Sequence, residues 1–200
     1  DTAPVAPVVQ WAACHTTPKE NRHALAPPLL LTGLLATLFI TGCAAPQGAT
    51  SPLVRYQIPN SSFPISNAVE VPAGASTIYL SGKVPPVVDA SKPANNPAAY
   101  GGDTEGQTVA VLKSIDAQLQ SMNLTMSDVV KMQVYLVKDP ARGGKMDFSG
   151  FMKGYTQFFG TAAQPHLPAR SAFEVAALAN PAWLTEIEVI AVRGATSVTR

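Results

Sequence analysis

Two glutamates near the end of the chain, Glu186 and Glu188, stand two residues apart in the β-rich run Leu184 to Val192. Strand side chains repeat every second residue, so the two carboxylates share one face. A carboxylate beside an electrophilic carbon can orient a water molecule or accept its proton. Upstream lies Arg170, in the string Pro168-Ala169-Arg170-Ser171. A planar guanidinium can hold a substrate carboxylate through two parallel hydrogen bonds. It can equally pair with a glutamate for stability, and Glu174 can be a cross-strand partner. Ser81-Gly82 closes a β-type run and reads either as a strand terminator or as the lining of a cleft.

Other chemistries are poorly supplied. The only cysteines are Cys14 and Cys43, both in the first quarter of the chain, which leaves the rest without a thiolate nucleophile, a disulfide or a cysteine metal site. Of three histidines only His166 lies beyond residue 42, which argues against a His-rich metal centre. No metal and no organic cofactor is expected. The formal net charge of +1 gives no general pull towards nucleic acid or an anionic membrane surface. An apolar fraction of 46% is enough to bury a core, which excludes wholesale disorder.

The only long apolar run is residues 24–45, with Leu29 to Ile40 in its middle, preceded by Lys19, Arg22 and His23 and ending in Thr41-Gly42-Cys43-Ala44-Ala45. A basic patch, a leucine-rich stretch and small residues read as a secretory signal. Ile40-Thr41-Gly42-Cys43 looks like a bacterial lipobox, with lipid on the Cys43 sulfur. The alternative is a membrane span, for which the apolar core is short against the ~20 residues a bilayer needs. Residues 1–42 are therefore expected to be an N-terminal extension and lipoprotein signal peptide. Residues 43–64, rich in Pro, Ser, Gly and Ala, are expected to form a flexible tether. The folded domain is assigned to 65–200. The expected location is the periplasmic side of a bacterial envelope, with Ala44 after Cys43 favouring the outer membrane.

The folded part must position Arg170 and the glutamates. Val69 to Val71 and Thr77 to Leu80, separated by Pro72-Ala73-Gly74-Ala75, read as a hairpin. Pro85 to Gly102 is a long loop. Thr104 to Gln107 matches a capping box, and Val109, Leu112, Ile115, Leu119 and Met122 give one apolar helical face. Val129 to Val137 is a largely buried strand. Phe148, Phe151 or Met152, Tyr155 and Phe158-Phe159 give a second amphipathic helix, stopped at Gly160. Ser171 to Leu178 and Leu184 to Val192 complete the order β-β-α-β-α-β-β. This is an α+β domain, a mixed sheet with two helices on one face. Two helices leave the other face bare, so oligomerisation is expected.

That order and several strings resemble the RidA/YjgF family. The strings are Tyr79-Leu80-Ser81-Gly82, Asp128 to Leu136, Tyr155-Thr156-Gln157-Phe158-Phe159, Pro168 to Val175, and Glu186 to Val192. The resemblance covers roughly residues 65 to 193 and implies a chorismate-mutase-like fold. It also implies a homotrimer with a barrel-like centre and ligand sites between subunits. The implied activity is hydrolysis of 2-imino or enamine acids to 2-oxo acids and ammonia. Arg170 corresponds to the substrate-binding arginine and Glu186 to the glutamate that positions water. Ser81, Gly82 and Ala172 correspond to cleft-lining positions. Three positions depart from the family's usual residues: Ala68 stands for a tyrosine, Met152 for an asparagine and Ala172 for a cysteine. The retained clamp is also compatible with a small-carboxylate-binding module that does not turn its ligand over. Ribonuclease activity, attributed to some relatives, is disfavoured by the charge.

Overall fold

A strict alternation in Val129–Asp139 organises the domain, because Met132, Val134 and Leu136 are all 0% exposed while the residues between them are not. In a computed structural model, which describes residues 51–200, this strand (β4) lies inside a mixed sheet, paired on both sides. The other strands are β1 (Leu53–Gln57), β2 (Ser66–Glu70), β3 (Ser76–Lys83), β5 (Lys145–Met146), β6 (Ala169–Val175), β7 (Thr185–Arg193) and β8 (Ser197–Thr199). Their order is β3-β7-β4-β6-β2-β1-β8, with the two-residue β5 pairing on β4 alone. β4 and β6 run parallel, whereas β7 is antiparallel to both β4 and β3.

Two helices, α1 (Thr104–Ser121) and α2 (Phe148–Tyr155), cover one face of the sheet. Leu112, Ile115 and Leu119 of α1 meet Met132, Val134, Ile187 and Val189 in one apolar core. A Cβ on Gly154 would lie 2.8 Å from the Thr108 Cβ, so the absence of a side chain there lets α1 and α2 approach. Among the described residues no helix is long and apolar enough to cross a membrane.

The expected α+β class is the observed one, and several boundaries differ. Asp103, not Thr104, caps α1, its carboxylate accepting from Gly106 N at 2.9 Å. Gln107, expected in a capping box, is instead fully buried; it donates to Ala182 O and accepts from Leu184 N, which fastens the approach to β7. β2 and β3 do not form the expected hairpin. β3 finds a longer partner in β7 and β2 pairs with β1, and an open groove of about 300 Å³ lies between Val69 and Tyr79. The sheet also takes in Leu53–Gln57, inside the stretch expected to be a tether. Leu53, Val54 and Arg55 are buried there, and that burial fixes the strand. The expected features at Cys43 and upstream lie outside the described residues.

Arg55 is the largest fully buried side chain. Its Nη1 donates to Val129 O and Leu167 O, its Nη2 to Ser127 O and its Nε to Ser197 Oγ, at 2.7 to 3.1 Å. Burial pushes the guanidinium down to about 10, countered by Asp128, so it stays charged at neutral pH. Removing it would strand several buried carbonyls, each unsatisfied group costing about 1–3 kcal/mol. Arg55→Ala is therefore expected to destabilise the domain by about 3 kcal/mol or more, read from urea unfolding. A loss below about 1 kcal/mol would show that water replaces the guanidinium.

Candidate functional site

Parallel pairing sets Arg170 opposite Met132 and Ala172 opposite Val134, so both point to the helix-covered face. There the Arg170 guanidinium carbon lies 4.3 Å from the ring centre of Tyr155 and 4.9 Å from that of Phe151. Phe63 and Phe148 follow at 5.5 and 5.9 Å. Ring faces carry negative potential that attracts a cation. The helical spacing of Phe151 and Tyr155 places both under the arginine. Phe63 comes from the loop between β1 and β2, which Tyr155 Oη pins by donating to Pro64 O at 2.9 Å.

Among the described residues no carboxylate forms an ion pair with Arg170, and its Nη1 is buried without an acceptor. Desolvation lowers the guanidinium's pKa, offset in part by Tyr155. The same burial, opposed by Arg170 and Arg55, drives the Tyr155 phenol far above the ordinary tyrosine range, so it stays neutral. A buried cation with an idle donor is suited to an anionic ligand group, and a carboxylate fits its fork.

Glu186 and Glu188 sit on the opposite, uncovered face, because Ile187 between them enters the core. They differ in surroundings. Glu188 accepts from Tyr135 Oη at 3.1 Å, and Gln133 donates to the same phenol at 3.0 Å. Burial and the Glu188 carboxylate raise the Tyr135 pKa. Glu186, opposite Tyr135 on β4, adds a smaller charge effect in the same direction without a hydrogen bond to it. Its Oε1 rests against Gly82, where a Cβ would overlap it. Gly82 belongs to a bulge in the β3–β7 pairing between Leu80 and Lys83, which frees this space. Ser81 is exposed beside it.

Within one chain, then, the residues singled out by sequence form two groups. Arg170 and Ala172 lie under α2; Ser81, Gly82 and Glu186 lie at the β3–β7 edge. β6 and β7 are separated by β4, about 10 Å at ordinary strand spacing, and the side chains point to opposite faces. Ala68 lies on β2 opposite Tyr56, and Met152 packs against the core from α2. The sequence places Phe148, Phe151 and Tyr155 on one apolar helical face without linking them to Arg170, and it gives no sign of Phe63; nothing local marks residues that meet Arg170 from so far along the chain. Among the described residues no three His, Cys, Asp or Glu side chains gather as a metal site. The uncovered face exposes Tyr79 and Phe173, 76% and 47%. A cleft of about 340 Å³ there is lined by Tyr79, Lys131, Gln133, Glu188 and Ile190.

Comparison with known proteins agrees with this architecture. Residues 56–193 match the family model described as endoribonuclease L-PSP. A RutC family protein of Haemophilus influenzae is 38% identical over 91 residues, 46% of this chain and 65% of its own length, so the chain spans just under two thirds of that relative. A RutC family protein of Pyrococcus abyssi is 32% identical over 133 residues, 66% of this chain and 89% of its own. A solved Rid-family protein of unknown function from Yersinia pestis is 25% identical, with a TM-score of 0.50 over 68% of this chain and 96% of that one.

The Tyr135 environment has a measurable sign. Removing the Glu188 charge takes away one of the causes that raise the phenol, so Glu188→Gln should move its ionisation down towards the ordinary tyrosine range. Ultraviolet titration against Tyr135→Phe checks this; an unmoved or upward midpoint would mean the contact at 3.1 Å is not kept in solution.

Proposed function

The chain belongs to the RidA/YjgF family, and from that premise we propose that it hydrolyses 2-imino acids, in equilibrium with their enamines, to 2-oxo acids and ammonia without a metal. The carrying observation is Arg170, a buried guanidinium with no carboxylate partner and an idle Nη1. In this reading it takes the substrate carboxylate, which places the neighbouring iminium carbon at a fixed distance from the fork. Water adds to that carbon while Glu186 accepts its proton, which forms a carbinolamine. Proton return to nitrogen lets the carbon–nitrogen bond break, and the hydroxyl proton passes to the departing ammonia as the 2-oxo carbonyl forms. Iminium plus water thus gives oxo acid plus ammonium, with no redox change.

One chain holds Arg170 and Glu186 on opposite faces, so the reading requires a second copy to bring them together. The exposed Tyr79 and Phe173 and the apolar groove beside Val69 give the bare face something to bury, and a closed ring of three copies would cover it. The separation also favours a second reading: if the copies do not complete the site, Arg170 holds a small carboxylate and nothing follows. We further propose that the domain works outside the cytoplasm, tethered through lipid on Cys43.

The test is the rate of 2-oxo acid formation from imino acids generated in solution, using the full chain. Arg170→Ala is expected to lower kcat/KM by at least 100-fold, and Gly82→Ala by about 10-fold through displacement of Glu186, since a misplaced catalytic group costs on that order. Gly82→Ala should leave stability within about 1 kcal/mol, because the group that must shift is the end of a flexible side chain. Binding of 2-oxo acids without acceleration by a trimer would favour the binding module. A monodisperse monomer by light scattering that still turns over would overturn the intersubunit site. For the anchor, Cys43→Ala expressed in a bacterial host should move the protein from the membrane to the soluble fraction; unchanged membrane association would exclude lipid at Cys43.

A further inference from the structure

We infer that Tyr155 is a positioning residue for Arg170: its ring carries the guanidinium, and its hydroxyl latches the 58–65 loop so that Phe63 is held against the same group. For the reaction the inference rests on the deaminase reading; for the placement of Arg170 it stands on the contacts alone.

Among the described residues the Arg170 side chain has neither an ion pair nor a hydrogen bond. Nothing directional fixes the guanidinium, so the rings around it must do so. Three of them, Phe148, Phe151 and Tyr155, come from α2, and Tyr155 is the nearest, at 4.3 Å. Phe63 is the one ring that has to be brought from another element.

The Tyr155 hydroxyl is what brings it. Tyr155 is 0% exposed, and its ring stacks on Phe159 at 4.9 Å and lies 5.7 Å from Phe151. Those contacts need only a ring. A buried phenol also needs an acceptor, or its hydroxyl loses water without compensation. The acceptor is Pro64 O, at 2.9 Å, on the residue next to Phe63. Burial keeps the phenol protonated, against the pull of Arg170 and Arg55, so the donor is always present. The loop has no other such tie. Among the described residues its remaining hydrogen bonds are internal: Ser61 N to Ile58 O, Phe63 N to Ser61 Oγ and Ile65 N to Phe63 O. Phe63 is 40% exposed, so packing alone holds it weakly. Loss of one hydroxyl would therefore free the loop, withdraw Phe63 and let the guanidinium drift.

The experiment is a double-mutant cycle on the full chain with Tyr155→Phe, Phe63→Ala and the two combined. Calorimetry reads affinity for 2-oxopropanoate, and turnover of imino acids generated in solution reads kcat and KM. The Arg170 Nε–H resonance, assigned with Arg170→Lys, reports the ring surroundings of the guanidinium without any ligand. Each single variant should weaken binding by about 10-fold, the order of one hydrogen bond or one cation–ring contact. The loss should fall on KM with kcat nearly unchanged, because Arg170 holds the carboxylate in ground state and transition state alike. The combined variant should bind no worse than either single one, and Tyr155→Phe should move the resonance in the same direction as Phe63→Ala. Additive losses would overturn the inference, since the hydroxyl and Phe63 would then act separately. An unmoved resonance in Phe63→Ala would overturn it as well, and that half-exposed loop variant reports even if Tyr155→Phe folds poorly. Turnover with additive losses leaves the deaminase reading standing. Coupled binding without turnover overturns the reaction and keeps the positioning role. Coupled movement of the resonance in a protein that binds no oxo acid keeps the positioning role and overturns the carboxylate clamp.

Discussion

A buried guanidinium is costly unless its N–H groups find acceptors, and the domain is assembled around one whose donors nearly all do. Arg55 donates to carbonyls at Ser127, Val129 and Leu167 and to the Ser197 hydroxyl, and so ties β1, β8, the start of β4 and the segment leading into β6. Leu167 O accepts from Ser66 Oγ as well, at 2.6 Å, and Pro168 O accepts from Ser66 N. Arg170 comes two residues after Pro168. A guanidinium packed among four aromatic rings tolerates little drift, and this doubled anchoring fixes where β6 begins. One buried arginine, engaged by three backbone carbonyls and a hydroxyl, thereby helps to hold a second one in place with its donors left over.

The contrast between the two arginines is one of purpose written in partners. Arg55 spends its donors on the fold. Arg170 has its charge cushioned by Tyr155 and Phe151, an arrangement that stabilises a cation without saturating its hydrogen bonds. The sheet makes a similar division. Its helix-covered face holds Arg170 and its bare face carries the glutamates, so the proposed reaction requires another copy to bring the two together.

Much of this was readable from residues alone. The periodicity from Leu112 to Leu119 and the alternation in β4 report burial directly, because both elements present one clean face to one core. Pro168 to Val175 marked Arg170, and the spacing of Glu186 and Glu188 put them on one face. β1 was hidden because Pro52 and Pro59 bracket only five strand residues, and its worth lies in Arg55, a residue type whose burial no local pattern announces. The aromatic surroundings were hidden for a different reason. Phe63, from the loop before β2, and Phe151 and Tyr155, from α2, converge on Arg170 from far along the chain, and Tyr155 is both a core residue and a neighbour of the guanidinium. The bulge at Ser81-Gly82 depends on how β3 pairs with β7, a long-range register that the dipeptide alone does not disclose.

That bulge has a consequence for how the sheet ends. β3 is an outermost strand, and an unbroken edge of free backbone groups invites a foreign strand to add on. The interruption between Leu80 and Lys83 breaks the regular row of donors and acceptors at that edge. The opposite edge is closed by β8, only three residues long. The irregularity that makes room for the Glu186 carboxylate is thus also a guard against fibre-like growth, so a substitution that straightened β3 would threaten solubility together with the placement of that carboxylate.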